Sequence, residues 1–339
     1  MPNGTMKPRA VVTNRVDESA IADLAARCEV VANASTTPWR RDEVLARARD
    51  AEALMVFMPD AVDDDFLAQC PRLRIVAGAL KGADNFDVAA CTRRGIWFTV
   101  VPDLLTEPTA ELAVGLMIGL ARNVAAGDAA VRTGGFAGWR PVLYGTGLAD
   151  SMVGLIGAGA VGAAIARRLT GFGCRMIYSE AARLDPGRER QLGLQHASVD
   201  EVAAASDFVV VACPLTAATS HFVGAGFLAA MKPGAYLVNI SRGSVVDEAA
   251  VADALDGGAL GGYAADVFEL EDWARPDRPR AIDPRLLADR ENTLFTPHLG
   301  SAVTSVRNRI AAAAARAIVQ CLDGEEPDGA LNRPADRRG

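Results

Sequence analysis

The sequence predicts an α/β fold with two domains, each built on a doubly wound parallel sheet. First, the 339 residues exceed the roughly 250–300 at which a single hydrophobic core stops growing. Second, short apolar runs alternate with segments of helical composition, which is the pattern of parallel strands joined by helical crossovers. Third, this alternation stops near Val101 and restarts at Met152, so we expect one domain on each side of that gap.

The first domain is predicted to hold five strands with helices between them. Flanking turn residues and β-branched composition favour strands for the apolar runs. These runs are Ala10–Thr13, Glu29–Ala32, Ala53–Met58, Arg74–Ala79 and Ile96–Val101. The intervening segments of helical composition are Glu18–Ala26, Arg41–Arg49, Asp63–Gln69 and Asp87–Arg94.

A long apolar segment, Thr109–Val124, follows the first domain. It predicts a buried connecting helix, because Pro108, Thr109 and Glu111 suit the start of a helix. The next segment, Gly127–Asp150, is rich in glycine and aromatic residues and predicts an irregular arm packed on another surface. A plain surface loop is the alternative for this arm.

Six further strands are predicted after the arm, followed by a last helix over Ser301–Cys321. That helix comes after the second sheet and is expected to return to the first domain. We therefore predict a discontinuous first domain of residues 1–104 and 300–339, and a second domain of residues 105–299. The six apolar runs are Met152–Ile156, Arg175–Ser179, Phe208–Ala212, Tyr236–Ile240, Gly262–Val267 and Thr293–Thr296.

Composition narrows the class of protein. A net charge of -7 argues against a nucleic-acid or anionic-membrane partner, because both need a basic face. The six cysteines are scattered, with no Cys/His cluster, so neither a disulfide framework nor a metal site is predicted. No signal peptide is recognisable, and the longest apolar run, Leu112–Ala121, is far too short to span a membrane. These features predict a soluble, cytoplasmic protein.

A glycine-rich sequence lies between the first strand and the first helix of the second domain. The three glycines of Gly157-Ala-Gly159-Ala-Val-Gly162 have the spacing of a dinucleotide-binding turn. The first permits the tight turn, the second admits a pyrophosphate close to the backbone, and the third allows the helix to pack on the strand. The six-strand context favours this interpretation over a glycine-rich turn that binds nothing.

Glu180 follows the next strand, Arg175–Ser179. A carboxylate at that position accepts hydrogen bonds from the adenosine ribose and repels a 2′-phosphate. The sequence therefore predicts NAD in preference to NADP. A solvated strand-end carboxylate is the alternative, and the nearby Arg183 could weaken the discrimination.

Three candidate catalytic residues lie where strands of the second domain end. His298 follows the last strand and is a candidate acid/base, whereas His196 and His221 are set aside because their neighbours are polar and not acidic. Arg242 could bind two oxygens of an oxyanion, and Glu271 could support the histidine. A structural histidine and surface salt bridges are the alternatives.

Four segments, taken in order, resemble the D-isomer-specific 2-hydroxyacid dehydrogenase family. The resemblance implies a Rossmann NAD-binding domain inserted in a flavodoxin-like substrate domain, and a homodimer formed through residues of about 109–150. It assigns substrate anchoring to Arg242, histidine support to Glu271, acid/base catalysis to His298 and a nicotinamide contact to Asp266. The segments are Gly157–Gly162, Asn239–Asp247, Asp266–Glu271 and Thr296–Ser301.

This reasoning yields one set of predicted cofactor-binding residues. They are Thr109, Gly157, Gly159, Ala160, Val161, Gly162, Glu180, Ala181, Pro214, Leu215, Ser241, Asp266, Gly300 and Ser301.

Within that family, five shorter segments resemble phosphite dehydrogenases. In Glu271-Asp-Trp273 the sequence departs from the Glu-Pro of most relatives, and Lys81 stands where hydroxyacid enzymes usually have a small or apolar residue. The segments are Phe57–Asp60, Gly78–Asp87, Phe136–Trp139, Tyr144–Gly147 and Glu271–Pro279. The resemblance implies that phosphite is oxidised to phosphate and hydride is transferred to NAD.

Charge supports the same expectation, because phosphite carries more negative charge than a carboxylate near neutral pH and needs more cations. Lys81, Arg242 and, by resemblance, Arg307 would supply them, with a surface loop lysine as the alternative for Lys81. His298 is the candidate for taking a proton from the attacking water. The sequence does not decide which group deprotonates this water. The predicted substrate-binding residues are Met58, Leu80, Lys81, Gly82, Trp139, Tyr144 and Arg307.

Two other functions fit the same resemblance. One is a D-2-hydroxyacid dehydrogenase of the glycerate or glyoxylate type. The other is an NAD-sensing corepressor that binds partners and turns over little, for which the sequence offers no added segment beyond the two domains.

Overall fold

A computed structural model describes residues 7–101, 103–288 and 291–334 of the chain. Residues 1–6 and 335–339, which the prediction placed in the first domain, lie outside the described residues. The chain divides into two compact units. Unit 1 comprises Met1–Leu105, Trp273–Pro276 and Ala302–Gly339, and unit 2 comprises Thr106–Asp272 and Asp277–Ser301.

The short segment Trp273–Pro276 differs from the sequence prediction, which assigned it to the second domain. The structure places it in unit 1. There the Ala274 backbone N–H donates to Asn85 Oδ1 at 3.0 Å.

Unit 1 is built on a five-stranded parallel sheet with the order β2-β1-β3-β4-β5. Apolar residues on β3 and β4 are fully buried, because helices cover both faces of the sheet. The strands are β1 (Arg9–Val12), β2 (Glu29–Ala32), β3 (Ala53–Val56), β4 (Ile75–Gly78) and β5 (Trp97–Thr99).

Five α-helices of the described chain belong to unit 1. The last one packs through its small apolar residues on the core formed by β1, β3 and β4. Alanine on that face lets the helix approach the sheet closely. The helices are α1 (Ala22–Arg27), α2 (Arg41–Ala48), α3 (Asp64–Ala68), α4 (Val88–Arg93) and α12 (Thr304–Leu322).

Unit 2 is built on a seven-stranded parallel sheet with the order β12-β11-β10-β9-β6-β7-β8. The order reverses between β6 and β9, and in such sheets ligands bind outside the carboxyl ends of the strands at that point. The strands are β6 (Met152–Ile156), β7 (Arg175–Ser179), β8 (Leu194–His196), β9 (Phe208–Val211), β10 (Ala235–Asn239), β11 (Leu260–Ala265) and β12 (Thr293–Phe295).

The prediction of six strands missed β8. This strand has three residues, Leu-Gln-His, at the edge of the sheet, and only Leu194 is buried. So short a run carries no apolar pattern. His196, which the prediction placed in a helix or loop, lies on this strand.

The helices of unit 2 cover both faces of its sheet. Its first helix buries nine residues against the core, as expected of a connecting helix. The helices are α5 (Thr106–Ala121), α6 (Val124–Arg132), α7 (Ala160–Leu169), α8 (Pro186–Leu192), α9 (Val199–Ala205), α10 (Ala225–Ala230) and α11 (Glu248–Asp256).

The predicted helix over Thr109–Val124 ends earlier than expected, at Ala121. Asn123 takes a left-handed conformation with φ of 53°, which asparagine tolerates better than most residues. The chain then enters α6, so the first part of the predicted irregular arm is helical. Among the described residues no single helix is long and apolar enough to cross a bilayer, whereas α5 and α6 together pass that test but bend by 62° at their break.

The rest of the arm is largely exposed on this single chain. Phe136, Trp139 and Tyr144 are 62%, 80% and 74% exposed. The prediction expected this arm to pack on another surface. The described residues of this chain do not provide such a surface for the three aromatic side chains.

Candidate active site

The glycine-rich loop joins β6 to α7. Gly157 has a φ of 101°, and a Cβ there would lie 2.7 Å from the Cys213 backbone N, so a side chain is excluded. A Cβ on Gly162 would lie 2.2 Å from the Gly157 carbonyl oxygen. By contrast, a Cβ on Gly159 would meet nothing within 4 Å. Gly157 and Gly162 are therefore required by packing. Gly159 leaves open space beside the start of α7 at Ala160 and Val161, where a pyrophosphate could approach.

Glu180 directly follows β7 and lies beside this loop. Its Oε2 accepts a hydrogen bond from the Ala158 backbone N–H at 2.9 Å, and its Oε1 accepts one from Ala181 at 3.1 Å. The carboxylate is therefore held next to the glycine-rich loop. This is the place from which an acidic side chain contacts an adenosine ribose.

Asp266 follows β11 and organises the loop that carries His298. Its Oδ1 accepts from Thr296 Oγ1 and from the Leu299 N–H, both at 2.6 Å, and its Oδ2 accepts from the Gly300 N–H at 2.8 Å. The residue is 2% exposed, and this burial raises the pKa of Asp266. Sequence reasoning gave Asp266 a nicotinamide contact, whereas the structure also makes it the anchor of this loop.

Two other predicted cofactor residues lie beside Asp266. A Cβ on Gly300 would lie 3.1 Å from Thr109 Oγ1 and 3.2 Å from Asp266 Oδ2, so the three residues are neighbours. Ser301 is buried next to them, at 5% exposure.

His298 and Glu271 form a close pair. His298 Nδ1 lies 2.7 Å from Glu271 Oε2, and the two side chains are 26% and 27% exposed. Glu271 is itself fixed, because its Oε1 accepts from the Phe268 N–H at 2.9 Å. Since Glu271 holds Nδ1, the other ring nitrogen, Nε2, is the one that can exchange a proton with a ligand.

Arg242 follows β10 in a loop clamped by short polar contacts. The Arg242 N–H donates to Ser241 Oγ at 2.6 Å, and Asn239 Nδ2 donates to the Arg242 carbonyl at 3.0 Å. The next residue, Gly243, packs directly on the turn that carries Glu271, since a Cβ there would lie 1.9 Å from the Phe268 carbonyl carbon. Only glycine allows the arginine loop and that turn to approach this closely.

Unit 1 contains the other predicted substrate cations. Lys81 Nζ lies 3.4 Å from Asp103 Oδ1, and the lysine side chain is 39% exposed. The Arg307 guanidinium lies over the Phe57 ring, 5.6 Å from its centroid, and burial lowers the pKa of Arg307. Gly82 is half-buried beside Lys81.

The predicted apolar wall of the substrate site is the least supported part of the prediction. Leu80 is 5% exposed and Met58 is half-buried, and both pack in the core of unit 1. Trp139 and Tyr144 lie in the exposed arm of unit 2. In the described chain neither aromatic side chain is enclosed.

The structure thus brings together Arg242, Glu271, His298 and Asp266 in unit 2, with the glycine-rich loop in the same unit.

The predicted pair Pro214 and Leu215 follows β9, and the Pro214 carbonyl accepts from Thr219 Oγ1 at 2.7 Å. In the part of the chain described here, no group of three His, Cys, Asp or Glu residues could hold a metal ion.

For one polar residue beside the site, the reason for which the sequence prediction set it aside was wrong. His221, described as having no acidic neighbour, lies with its Nε2 2.7 Å from Glu269 Oε2. The two residues are 48 positions apart, so no local pattern indicates their contact.

A family model described as "D-isomer specific 2-hydroxyacid dehydrogenase, NAD binding domain" matches residues 114–300. The chain is also 37% identical to a glyoxylate reductase of Pyrococcus furiosus, over 97% of this chain and 96% of the relative. This chain belongs to the D-isomer specific 2-hydroxyacid dehydrogenase family. A glyoxylate reductase of Korarchaeum cryptofilum is 36% identical, over 97% of each chain.

Solved structures agree with this membership. A Thermus thermophilus protein has a TM-score of 0.85 and 32% identity over 96% of this chain and all (100%) of its own. An NADPH-dependent glyoxylate/hydroxypyruvate reductase of Sinorhizobium meliloti has a TM-score of 0.81 and 29% identity, covering 98% of this chain and 100% of its own. The predicted fold class, the family and the NAD cofactor are thereby confirmed, and the chain is an NAD-dependent oxidoreductase.

The finer prediction of a phosphite-oxidising subgroup is not supported by these relatives. Those named above for their activity are glyoxylate reductases or, in the Sinorhizobium meliloti case, a glyoxylate/hydroxypyruvate reductase. Their names support the alternative, a glyoxylate-type hydroxyacid dehydrogenase, better than they support phosphite.

Proposed function

We propose that this dehydrogenase oxidises phosphite to phosphate and transfers hydride to NAD. The observation that carries the proposal is Lys81, a cation in the loop after β4 where hydroxyacid enzymes of the family usually have a small or apolar residue. The resemblance assigns substrate binding to Lys81, Arg242 and Arg307. Such a set of cations suits an anion with more charge than a carboxylate.

A second observation supports the same substrate. Asp272, which stands where most relatives have proline, is 3% exposed, and its Oδ2 accepts from the Ser244 N–H at 2.8 Å. Proline could not accept this hydrogen bond. Asp272 therefore forms a hydrogen bond with the loop that follows Arg242, which a proline at this position could not form. The resemblance to phosphite dehydrogenases rests on this segment as well as on Lys81.

In the proposed reaction, His298 acts as a general base through Nε2, and Glu271 holds the ring and stabilises its protonated form. Water attacks phosphorus while His298 takes a proton from it, so an O–P bond forms and the P–H bond breaks. Bound NAD would supply the hydride acceptor. Arg242 would hold two oxygens of the substrate in the orientation that the attack requires.

The second candidate is glyoxylate reduction, and the names of the relatives favour it. The same centre would then work in reverse, because protonated His298 would donate its proton to the carbonyl oxygen as hydride reaches the carbonyl carbon. Arg242 would bind the carboxylate of glyoxylate. Identity of 37% leaves room for a different substrate on the same catalytic residues, so the two candidates require a direct comparison.

One set of assays decides between them. NADH formation would be measured with phosphite, glycolate, D-glycerate and D-lactate, and NADH consumption with glyoxylate. We expect the highest kcat/KM with phosphite. A higher kcat/KM with glyoxylate would overturn the proposal in favour of the second candidate, and no turnover of any substrate would favour the corepressor. His298→Asn serves as the control, since it should remove either activity.

We also propose that the chain forms a homodimer through residues of about 109–150. The support is the exposed arm, where Phe136, Trp139 and Tyr144 present apolar surface that a monomer would leave in water. Light scattering at micromolar concentration should return about twice the chain mass of 35.5 kDa. A mass near that of one chain would contradict the dimer.

A further inference from the structure

A second His–Glu pair lies next to the candidate catalytic pair. His221 Nε2 is 2.7 Å from Glu269 Oε2, which matches the separation of His298 Nδ1 from Glu271 Oε2. Both glutamates lie on one short 3₁₀ turn, Glu269–Glu271. Glu269 is 6% exposed, so its carboxylate faces the interior of unit 2.

Glu269 is also paired with Glu248, the first residue of α11. The Glu248 N–H donates to Glu269 Oε1 at 3.0 Å, and the Glu269 N–H donates to Glu248 Oε1 at 2.7 Å. Glu248 is 3% exposed, and burial raises the pKa of Glu248 to about 7, with Glu269 and Asp283 adding repulsion. Each carboxylate therefore fixes the backbone of the other element.

The same cluster reaches the loop of Arg242. The His221 backbone N–H donates to the Ser244 carbonyl at 2.7 Å, and the Ser244 backbone N–H donates to Asp272 Oδ2 at 2.8 Å. Ser244 is two residues after Arg242 and is fully buried. His221 thus contacts the arginine loop through its backbone N–H. Through its ring it contacts Glu269, which lies on the turn that carries Glu271.

We propose that His221, Glu269 and Glu248 are positioning residues that hold Glu271 and Arg242 in place for catalysis. The proposal rests on the acid/base role given above to His298. The His221 side chain is 41% exposed, so removing its ring lets water compete for Glu269, which then keeps the Glu248 N–H but loses its side-chain partner. The turn is held less firmly and can shift. A shift of the turn lengthens the contact of Glu271 with His298, and small misplacements of this kind lower turnover strongly.

The test uses two substitutions of His221, because its backbone limits the choice. His221 has a φ of 50°, a conformation that asparagine tolerates well. His221→Asn therefore keeps the local backbone but is too short to reach Glu269, whereas His221→Gln can place an amide donor near the position of Nε2. His196→Asn is the matched control, since His196 lies on the edge strand β8 and contacts Tyr178 at a ring distance of 5.3 Å.

We expect His221→Asn to lower kcat by about 10–100-fold with little change in KM. His221→Gln should stay within about threefold of the parent, and His196→Asn should equal it. The assays use whichever substrate the panel described above identifies, so the test does not depend on phosphite.

A spectroscopic measurement separates positioning from a general loss of structure. The chain has three histidines, so the three imidazole Cε1–H proton resonances can be followed by NMR and assigned with the variants. In His221→Asn the His298 resonance should move, because the contact of Glu271 with the His298 ring lengthens. This measurement needs no substrate, so a failure of the proposed function leaves it interpretable.

Two outcomes would overturn the inference. One is a kcat for His221→Asn within about threefold of the parent. The other is a loss of kcat with the His298 resonance unchanged, because the effect would then not pass through the catalytic pair.

Discussion

The candidate catalytic residues of unit 2 and the predicted substrate cations of unit 1 are held very differently. His298 is fixed at its ring by Glu271 and at its loop by three hydrogen bonds to Asp266. Lys81, by contrast, is 39% exposed and lies at 3.4 Å from Asp103. The groups proposed for proton transfer in unit 2 are therefore held by several hydrogen bonds, whereas the Lys81 side chain is partly open to solvent.

That difference suggests how members of one fold family can act on different substrates. A change at Lys81 alters the charge offered to a ligand, while a change at Asp266 or Glu271 disturbs the loop of His298. We therefore propose that Lys81 contributes to substrate choice and that unit 2 carries the reaction chemistry. The following predictions test this division.

The largest effect is expected for His298→Asn, which removes the acid/base group. Turnover should fall by about 10²–10⁴-fold, the usual contribution of general acid/base catalysis. The affinity for NAD should hardly change, because the residue serves the chemical step. Steady-state kinetics and a calorimetric titration with NAD would measure the two quantities. Activity within a few-fold of the parent would remove His298 from the mechanism.

Lys81→Ala tests the other side of the comparison. If Lys81 binds phosphite, its loss should chiefly raise KM for phosphite, by about 1.5–3 kcal/mol in binding free energy, with kcat and NAD affinity nearly unchanged. Lys7→Ala is a suitable control, because Lys7 is exposed and donates to the Ala26 carbonyl. Unchanged phosphite kinetics in Lys81→Ala would make this residue an ordinary surface lysine.

A third prediction concerns the loop that carries Met58 in unit 1. Asp60 is 7% exposed, and its Oδ2 accepts from Thr13 Oγ1 at 2.5 Å and from the Phe57 N–H at 2.7 Å. Burial raises the pKa of Asp60 to about 6. The native state thus retains a proton that the unfolded chain releases from about pH 4, so the free energy of unfolding falls as pH rises from there through about 6.

Asp60→Asn should remove this pH dependence, because the amide is neutral and its oxygen can take the place of Oδ2 and accept from both the Phe57 N–H and Thr13 Oγ1. Relative to the parent, the variant should gain about 1–3 kcal/mol in unfolding free energy between pH 4 and 7. Urea denaturation at several pH values would measure it. The exposed Asp50→Asn should show no such gain, and an equal gain there would contradict the assignment to Asp60.

The smallest effect is expected for Glu180→Ala. Its carboxylate should repel the 2′-phosphate of NADP, so its removal should narrow the preference for NAD by about tenfold, equivalent to roughly 1.4 kcal/mol. Because Glu180 also accepts from the Ala158 N–H, KM for NAD should rise modestly as well. Measuring kcat/KM with both cofactors tests this. A similar structure, from Sinorhizobium meliloti, is named as NADPH-dependent, so a measurement with both cofactors is informative.

Much of the fold could be predicted from the sequence because its signals are local. Eleven of the twelve strands in the described residues coincide with apolar runs that can be recognised in the sequence without any long-range information. The roles of Gly157 and Gly162 also follow from the spacing of the three glycines at 157, 159 and 162 and from the strand before them. The exceptions are instructive: β8 is too short to show a pattern, and the break after Ala121 depends on one left-handed asparagine.

The sequence by itself determined which residues end the strands of the second sheet, and so it selected Arg242, Glu271 and His298 as candidates. Tertiary structure decided their partners. The contact of His221 with Glu269 and the reciprocal hydrogen bonds of Glu269 with Glu248 join residues 48 and 21 positions apart. The physical reason is that strand and turn signals arise from neighbouring residues, whereas a buried carboxylate finds its donors only after the sheet has brought distant loops to one edge.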